Sequence, residues 1–139
     1  MKVSVITPVL NRVTYIKECV RSVIHQTYPD MEHVVIDGGS TDGTLAVLAD
    51  YKAAFSDHVV LLSEPDNGPC EAWNKGLRLA TGDVLGWLGA DDFYKPDSVA
   101  VVVEFFRLHP DAMLVHGDMD MVDKDGIVRH RSLGRRFSL

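Results

Sequence analysis

Acidic residues fall at the ends of apolar runs along this 139-residue chain. Asp37 closes the run 33–37, Glu64 and Asp66 follow 58–63, Asp91 and Asp92 follow 83–88, and Asp118 follows 112–116. Thr7, Pro8 and Asn11 stand at the end of the first run, 3–7. Runs this short and rich in Val, Ile and Leu read as strands buried on both faces. Their ends then share one rim, where gathered carboxylates repel one another unless a cation joins them. Hard oxygen ligands favour Mg2+ or Mn2+, and Mg2+ is commonly held by one or two carboxylates together with substrate phosphates. Capping of a following helix is the simpler account of Asp42 and Asp97. It explains the adjacent pair Asp91-Asp92 poorly.

Other chemistry-bearing residues give weaker signals. Gly38-Gly39-Ser40-Thr41-Asp42-Gly43 is a glycine-rich strand-to-helix turn. Either its backbone N–H groups approach a phosphate, or Ser40 or Thr41 caps the helix. It is neither GxGxxG nor a Walker motif, so nicotinamide-dinucleotide and ATPase readings lose their main support. Lys75, beside Asn74, meets a phosphate or lies on a solvated helix face. Trp73 and Trp87 read as core ahead of sugar stacking. Cys70 reads as a small buried filler and His116 as a satisfied strand-end histidine. Two cysteines are too few for a disulfide framework, and no Cys/His cluster suggests zinc.

The elements that must hold these residues alternate. Between the strand-like runs lie helical stripes. The first carries Val13, Ile16, Val20, Val23 and Ile24 behind Asn11 as N-cap; the second spans about 44–55; the third opens at Gly68-Pro69 and stops at Gly82; the fourth opens at Pro96 and ends before Pro110. Such alternation predicts one α/β domain over 1–139, a mostly parallel sheet with helices on both faces. The turn Asp123-Lys124-Asp125-Gly126 adds a small hairpin of 119–122 with 127–130. The net charge is −6. Residues 126–139 hold Arg129, Arg131, Arg135 and Arg136 and no acid, a net of +4 that leaves −10 on the first 125 residues. An acidic body argues against nucleic acid as partner. No run has the length of a membrane span and the start makes a poor signal peptide, so a cytoplasmic location is expected.

Five motifs in order resemble the family 2 glycosyltransferases of the GT-A fold. They are Val3-Ser-Val-Ile-Thr-Pro-Val-Leu-Asn-Arg12 with Ser22-Val-Ile-His-Gln-Thr-Tyr28; Val35-Ile-Asp-Gly-Gly-Ser-Thr-Asp-Gly-Thr44; Glu64-Pro-Asp-Asn-Gly68; Ala72-Trp-Asn-Lys-Gly76 with Ala80-Thr-Gly-Asp83; and Leu88-Gly-Ala-Asp-Asp92. The resemblance implies a nucleoside-diphosphate-sugar donor, most often a UDP-sugar, transferred with inversion to a saccharide or lipid-linked acceptor. It implies a nucleotide wall of Thr7, Pro8, Asn11, Asp37, Gly38, Asp66, Asn67, Gly68, Asn74, Lys75 and Asp91, with Asp92, helped by Asp91, as ligand of Mg2+ or Mn2+. Two departures stand out. Asp37-Gly38 replaces a pair of acids common in the family, and Ala90-Asp91-Asp92 lacks the first acid of an Asp-x-Asp motif. No acid follows Asp125, so the general base of the acceptor half has no counterpart; Asp118, with Asp120 behind it, is the nominee. The expectation is a donor-binding part lacking the acceptor segment, with peripheral membrane contact and self-association open. The alternatives are a non-catalytic nucleotide-binding fragment and a sugar-phosphate nucleotidyltransferase.

Overall fold

In the computed structural model, which describes residues 1–133, four of the apolar runs form one parallel sheet. Its strands are β1 (Val3–Val9), β2 (Met31–Asp37), β3 (Val59–Ser63) and β4 (Val84–Trp87), in the order β3-β2-β1-β4. β1 pairs with β2 from Val3↔Met31 to Val9↔Asp37, and with β4 from Val3↔Val84 to Ile6↔Trp87. The helices are α1 (Ile16–Ile24), α2 (Thr44–Ala54), α3 (Pro69–Leu79) and α4 (Ser98–Leu108).

The two-residue period of β1 divides the core. Val3, Val5 and Val9 meet Ile16, Cys19, Val20 and Val23 of α1, Leu48 of α2, and Val99 and Val103 of α4. Ile6 turns the other way, joining Val34, Ile36 and Ala72 of α3. The α1 stripe at i, i+3, i+4 and i+7 is what an amphipathic helix needs to lie on such a face.

At the amino ends of the strands, buried Glu32 ties the sheet together. Its carboxylate accepts hydrogen bonds from Lys2 Nζ (2.8 Å), Ser4 Oγ (2.6 Å) and Thr81 N (2.7 Å). At the carboxyl ends the strand order creates a gap. The chain steps outward from β1 to β2 and β3, then returns to the far side of β1 for β4. The carboxyl ends of β1 and β4 therefore flank the switch point at which open α/β sheets bind their ligands.

Some expectations are corrected. Asn11 does not cap α1; Tyr15 stands at its N-cap position, while Asn11 adopts a left-handed backbone (φ 53°) in the preceding loop. The α4 helix begins at Ser98, just after Pro96. Residues 112–116 form no strand, and Met113 and Leu114 are exposed. The hairpin exists as β5 (Met119–Val122) with β6 (Val128–Ser132), antiparallel, with an irregularity at Met121/Val122. Its turn is closed by Asp123, which accepts from the N–H groups of Asp125 and Ile127 and from Arg129.

The described residues fall into two compact units, Met1–Glu104 with the parallel sheet, and Phe105 onward with the hairpin. Arg135 and Arg136 of the basic tail lie outside the described residues. Among the described residues, no helix is long and apolar enough to cross a membrane.

Candidate functional site

Four loops meet at the carboxyl rim of the sheet, and side chains lace them together. Asn11 Oδ1 accepts from Thr41 N (2.8 Å), and Asn11 N donates to Ser40 Oγ (2.9 Å). Arg12 N donates to Thr44 Oγ1 (2.9 Å) and Val13 N to Asp42 Oδ2 (3.0 Å). The loop after β1 is thus pinned to the loop after β2. Asp37 is fully buried; its carboxylate accepts from Ser63 Oγ (2.7 Å) and Ser40 N, which joins the ends of β2 and β3.

The turn 38–43 is therefore no ready phosphate cradle. The N–H groups of Gly38, Ser40, Thr41 and Thr44 are already donated to Val9 O, Asp37, Asn11 and Asp42. Neither Ser40 nor Thr41 caps α2. Gly43 stands at the N-cap position without a side-chain cap, and Asp42 before it accepts from Thr44 N (2.9 Å) and from its hydroxyl, the hydroxyl bond holding its carboxyl below the usual range.

Asp66 lies on Gly38. A Cβ built on Gly38 would stand 2.8 Å from Asp66 Oδ2, so a second acid at position 38 would displace that carboxylate. Asp66 Oδ1 accepts from Gly68 N (2.8 Å), and Asn67 gives both its backbone and side-chain N–H to Glu71 Oε2. Lys75 does not reach freely into the rim. Its ammonium sits between Glu64 (3.0 Å) and Glu71 (3.5 Å) and donates to Pro65 O, and the Glu64 bond raises its pKa. Asn74 is exposed on α3, beside it in sequence.

Asp91 and Asp92 stand at the switch point. Both carboxylates fold over Gly89: a Cβ there would meet Asp92 Oδ2 at 2.7 Å and Asp91 Oδ1 at 3.3 Å. Asp92 N donates to Gly89 O (3.0 Å), closing the turn that presents them. Arg12 Nε lies 3.5 Å from Asp91 Oδ2, bringing a cation from the β1 loop to the same place. Among the described residues no group of three or more His, Cys, Asp or Glu side chains could cage a metal ion. Two hard carboxylates fit a divalent cation only when a ligand such as a diphosphate completes its shell.

The sequence reading missed several features. Thr7 and Asp37, expected on the nucleotide wall, turn their side chains inward: Thr7 is fully buried and its hydroxyl is 2.9 Å from His33 Nε2. Arg12 was not among the expected site residues. Trp87 is not core; it is 54% exposed and stacks on Trp73 with ring centroids 4.3 Å apart. Cys70 is exposed rather than buried. Asp120, the reserve nominee for general base, is held in the hairpin by Arg131 through two hydrogen bonds of 2.6 and 3.2 Å. A pocket of about 260 Å³ opens at the opposite end of the sheet, beside Met31, His33, Tyr51 and His58, away from these loops.

Solved structures give the class. The sheet and its helices are those of GT-A transferases: the S. aureus TarS structure in complex with UDP-GlcNAc matches with a TM-score of 0.73 and 29% identity, over 79% of this chain and 32% of that one. The mannosyltransferase PcManGT from Pyrobaculum calidifontis, in complex with GDP-Man and Mn2+, matches with a TM-score of 0.71 and 30% identity, over 88% and 36%. Within that class the chain belongs to glycosyl transferase family 2, whose sequence model matches residues 4–137. A relative, the PGL/p-HBAD biosynthesis glycosyltransferase of Mycobacterium bovis, is 39% identical over 119 residues, which are 85% of this chain and 46% of that protein. The chain spans less than half the length of that curated relative.

Proposed function

We propose that this chain binds the donor of an inverting glycosyltransferase that moves a sugar from a nucleoside diphosphate, UDP foremost, to a saccharide or lipid-linked acceptor. The observation that carries the reading is the pair Asp91-Asp92 folded over Gly89 at the switch point, with Arg12 against Asp91. The neighbours in complex with UDP-GlcNAc and with GDP-Man and Mn2+ support a nucleotide-sugar ligand for this fold. Mg2+ or Mn2+ would be held by Asp92 with Asp91, and when bound would neutralise the diphosphate as the bond to the sugar breaks.

This chain's own residues supply the rest. Arg12 takes a phosphate oxygen in exchange for Asp91. Pro8, Asn11, Asp66, Asn67 and Gly68 form the wall for base and ribose, with Asn74 and Lys75 behind it. Thr7, Asp37 and Gly38 hold that wall in shape from beneath. In the transfer the acceptor oxygen bonds to the anomeric carbon from the face opposite the diphosphate. The bond to the β-phosphate oxygen breaks, the nucleoside diphosphate leaves, and the hydroxyl proton passes to a base. Asp118, the first of the two acids nominated from the sequence, is proposed as that base.

Calorimetric titration with UDP tests the reading, once with Mn2+ and once with EDTA. Heat that depends on Mn2+ and disappears in Asp92→Ala is the expected result. Equal UDP affinity in the two conditions, or in the variant, would refute the assigned site.

A further inference from the structure

We infer that Asp66 selects the nucleobase of the donor: its free carboxylate oxygen, seated over Gly38, accepts the ring N–H of uracil and rejects bases whose ring nitrogen is bare. This role deepens the donor-site reading and rests on it. Gly38 is a glycine that its backbone does not require. Gly39 and Gly43 of the same turn have φ of 89° and 98°, in the left-handed region that favours glycine, whereas Gly38 lies outside that region. Space is the reason instead. A Cβ on Gly38 would stand 2.8, 3.1 and 3.2 Å from Oδ2, Cγ and Oδ1 of Asp66, so the whole carboxylate lies on bare backbone. Glu64 N donates to Asp37 O (3.0 Å), which fastens the loop after β3 to the end of β2 and holds Asp66 in that seat.

One oxygen of this carboxylate is engaged and the other is not. Oδ1 accepts from Gly68 N (2.8 Å), which fixes the plane of the group. Among the described residues Oδ2 has no hydrogen-bond or ion-pair partner. Asp66 is half-buried, and no buried side-chain polar atom among the described residues lacks a partner, so Oδ2 is open to solvent. The other acids of these loops are committed: Asp37 to Ser63 and Ser40, Asp42 to Val13 and Thr44, Glu64 and Glu71 to Lys75. With phosphates at Asp91 and Asp92, a nucleoside extends along the rim past β1. The ends of β2 and β3 lie two to three strand spacings from β4, roughly 10 to 14 Å, where the base arrives. Uracil presents one ring N–H on its pairing edge, a match for one free acceptor fixed in place, and the charge on the acceptor strengthens the bond. Cytosine turns a ring-nitrogen lone pair to the same point, which a carboxylate repels. Guanine offers two N–H groups side by side, with only one oxygen open to them.

Calorimetric titration of the full chain with UDP, CDP and GDP in Mn2+ tests this, with Asp66→Asn as the main variant. The unaltered chain should bind UDP at least tenfold more tightly than CDP or GDP. Asp66→Asn keeps the shape of the side chain, and Gly68 N still needs Oδ1, so the amide places its NH2 where Oδ2 stood. The preference should then invert. UDP should weaken at least tenfold and CDP should strengthen, because the cytosine ring nitrogen accepts the bond that uracil cannot. Gly38→Ala should push the carboxylate off its seat and lower UDP affinity several-fold, with CDP unchanged. Equal weakening of UDP and CDP in Asp66→Asn, the mark of a merely structural carboxylate, overturns the inference. So does unchanged UDP affinity in that variant, or an unaltered chain that prefers GDP. In each of those cases Mn2+-dependent nucleotide binding leaves the donor-site reading standing. If the unaltered chain binds none of the three nucleotides with Mn2+, both fall.

Discussion

Asp92 is the side chain on which donor binding should depend most. Asp92→Asn keeps size and removes charge, so UDP affinity in Mn2+ should fall at least tenfold, about 1.4 kcal/mol. The thermal midpoint should hardly move, because the side chain is exposed. Gly89→Ala should mimic that loss with both acids still in the sequence, since the added methyl displaces the Asp92 carboxylate from the space of its Oδ2. Arg12→Ala should instead weaken UDP several-fold with Mn2+ and with EDTA alike, because a guanidinium reaches phosphate without a metal. Titration of the three variants separates these patterns. The two acids were legible in the sequence, since an adjacent pair after an apolar strand has no structural use that capping explains. Arg12 was not. Its meaning depends on β4 lying beside β1, which no local spacing encodes. The same holds for His33, an ordinary strand residue until Thr7 and Tyr51 meet its two ring nitrogens. The departure Asp37-Gly38 also has its reason only in space, where the Asp66 carboxylate fills the volume a second acid would need.

At the scale of elements, strands and helices followed from period and punctuation, and their order survived with boundaries moved by a residue or two. Two misreadings share a cause. The run 112–116 has strand composition, yet a strand is made by its partner. Trp87 has a core residue's composition, yet β4 leaves it on an exposed face stacked with Trp73. Burial depends on what packs above a position, and sequence period shows only which positions share a face. Glu32 illustrates the converse, a charged residue that earns its place inside the sheet. Burial opposes its ionisation, but Lys2, Ser4 and Thr81 together hold its carboxyl at about 2 against 4.5 when unperturbed. A group with its folded pKa lowered stabilises the fold above its unfolded value and loses that effect as pH falls towards the folded one. Glu32→Gln should therefore cost on the order of 3 kcal/mol at pH 7 and progressively less between pH 4.5 and 2. Urea unfolding at pH 7 and pH 3 checks the difference.

For the whole molecule, pH should act first through His33. Its folded pKa, near 3, lies below the 6.5 of an unperturbed imidazole, so the unfolded chain takes up the proton first. Stability should fall as pH drops below 6.5 and continue falling towards 3, by about 2 kcal/mol between pH 7 and 5. In His33→Gln that slope should be absent, as denaturant unfolding across the range will report. One parallel sheet gathers the loops of the proposed donor site on the rim at the β1/β4 switch point, and buried side chains such as Asp37 join the strand ends beneath it. The central claim is where the ligand docks, and paramagnetic broadening by Mn2+ in the presence of UDP locates it directly. The account predicts that amide signals of Arg12 and Gly89 to Asp92 broaden first, while those of Glu32 and His58 at the opposite end of the sheet stay sharp. Broadening centred on Glu32, His33 and His58, around the pocket at the amino ends of the strands, would contradict it.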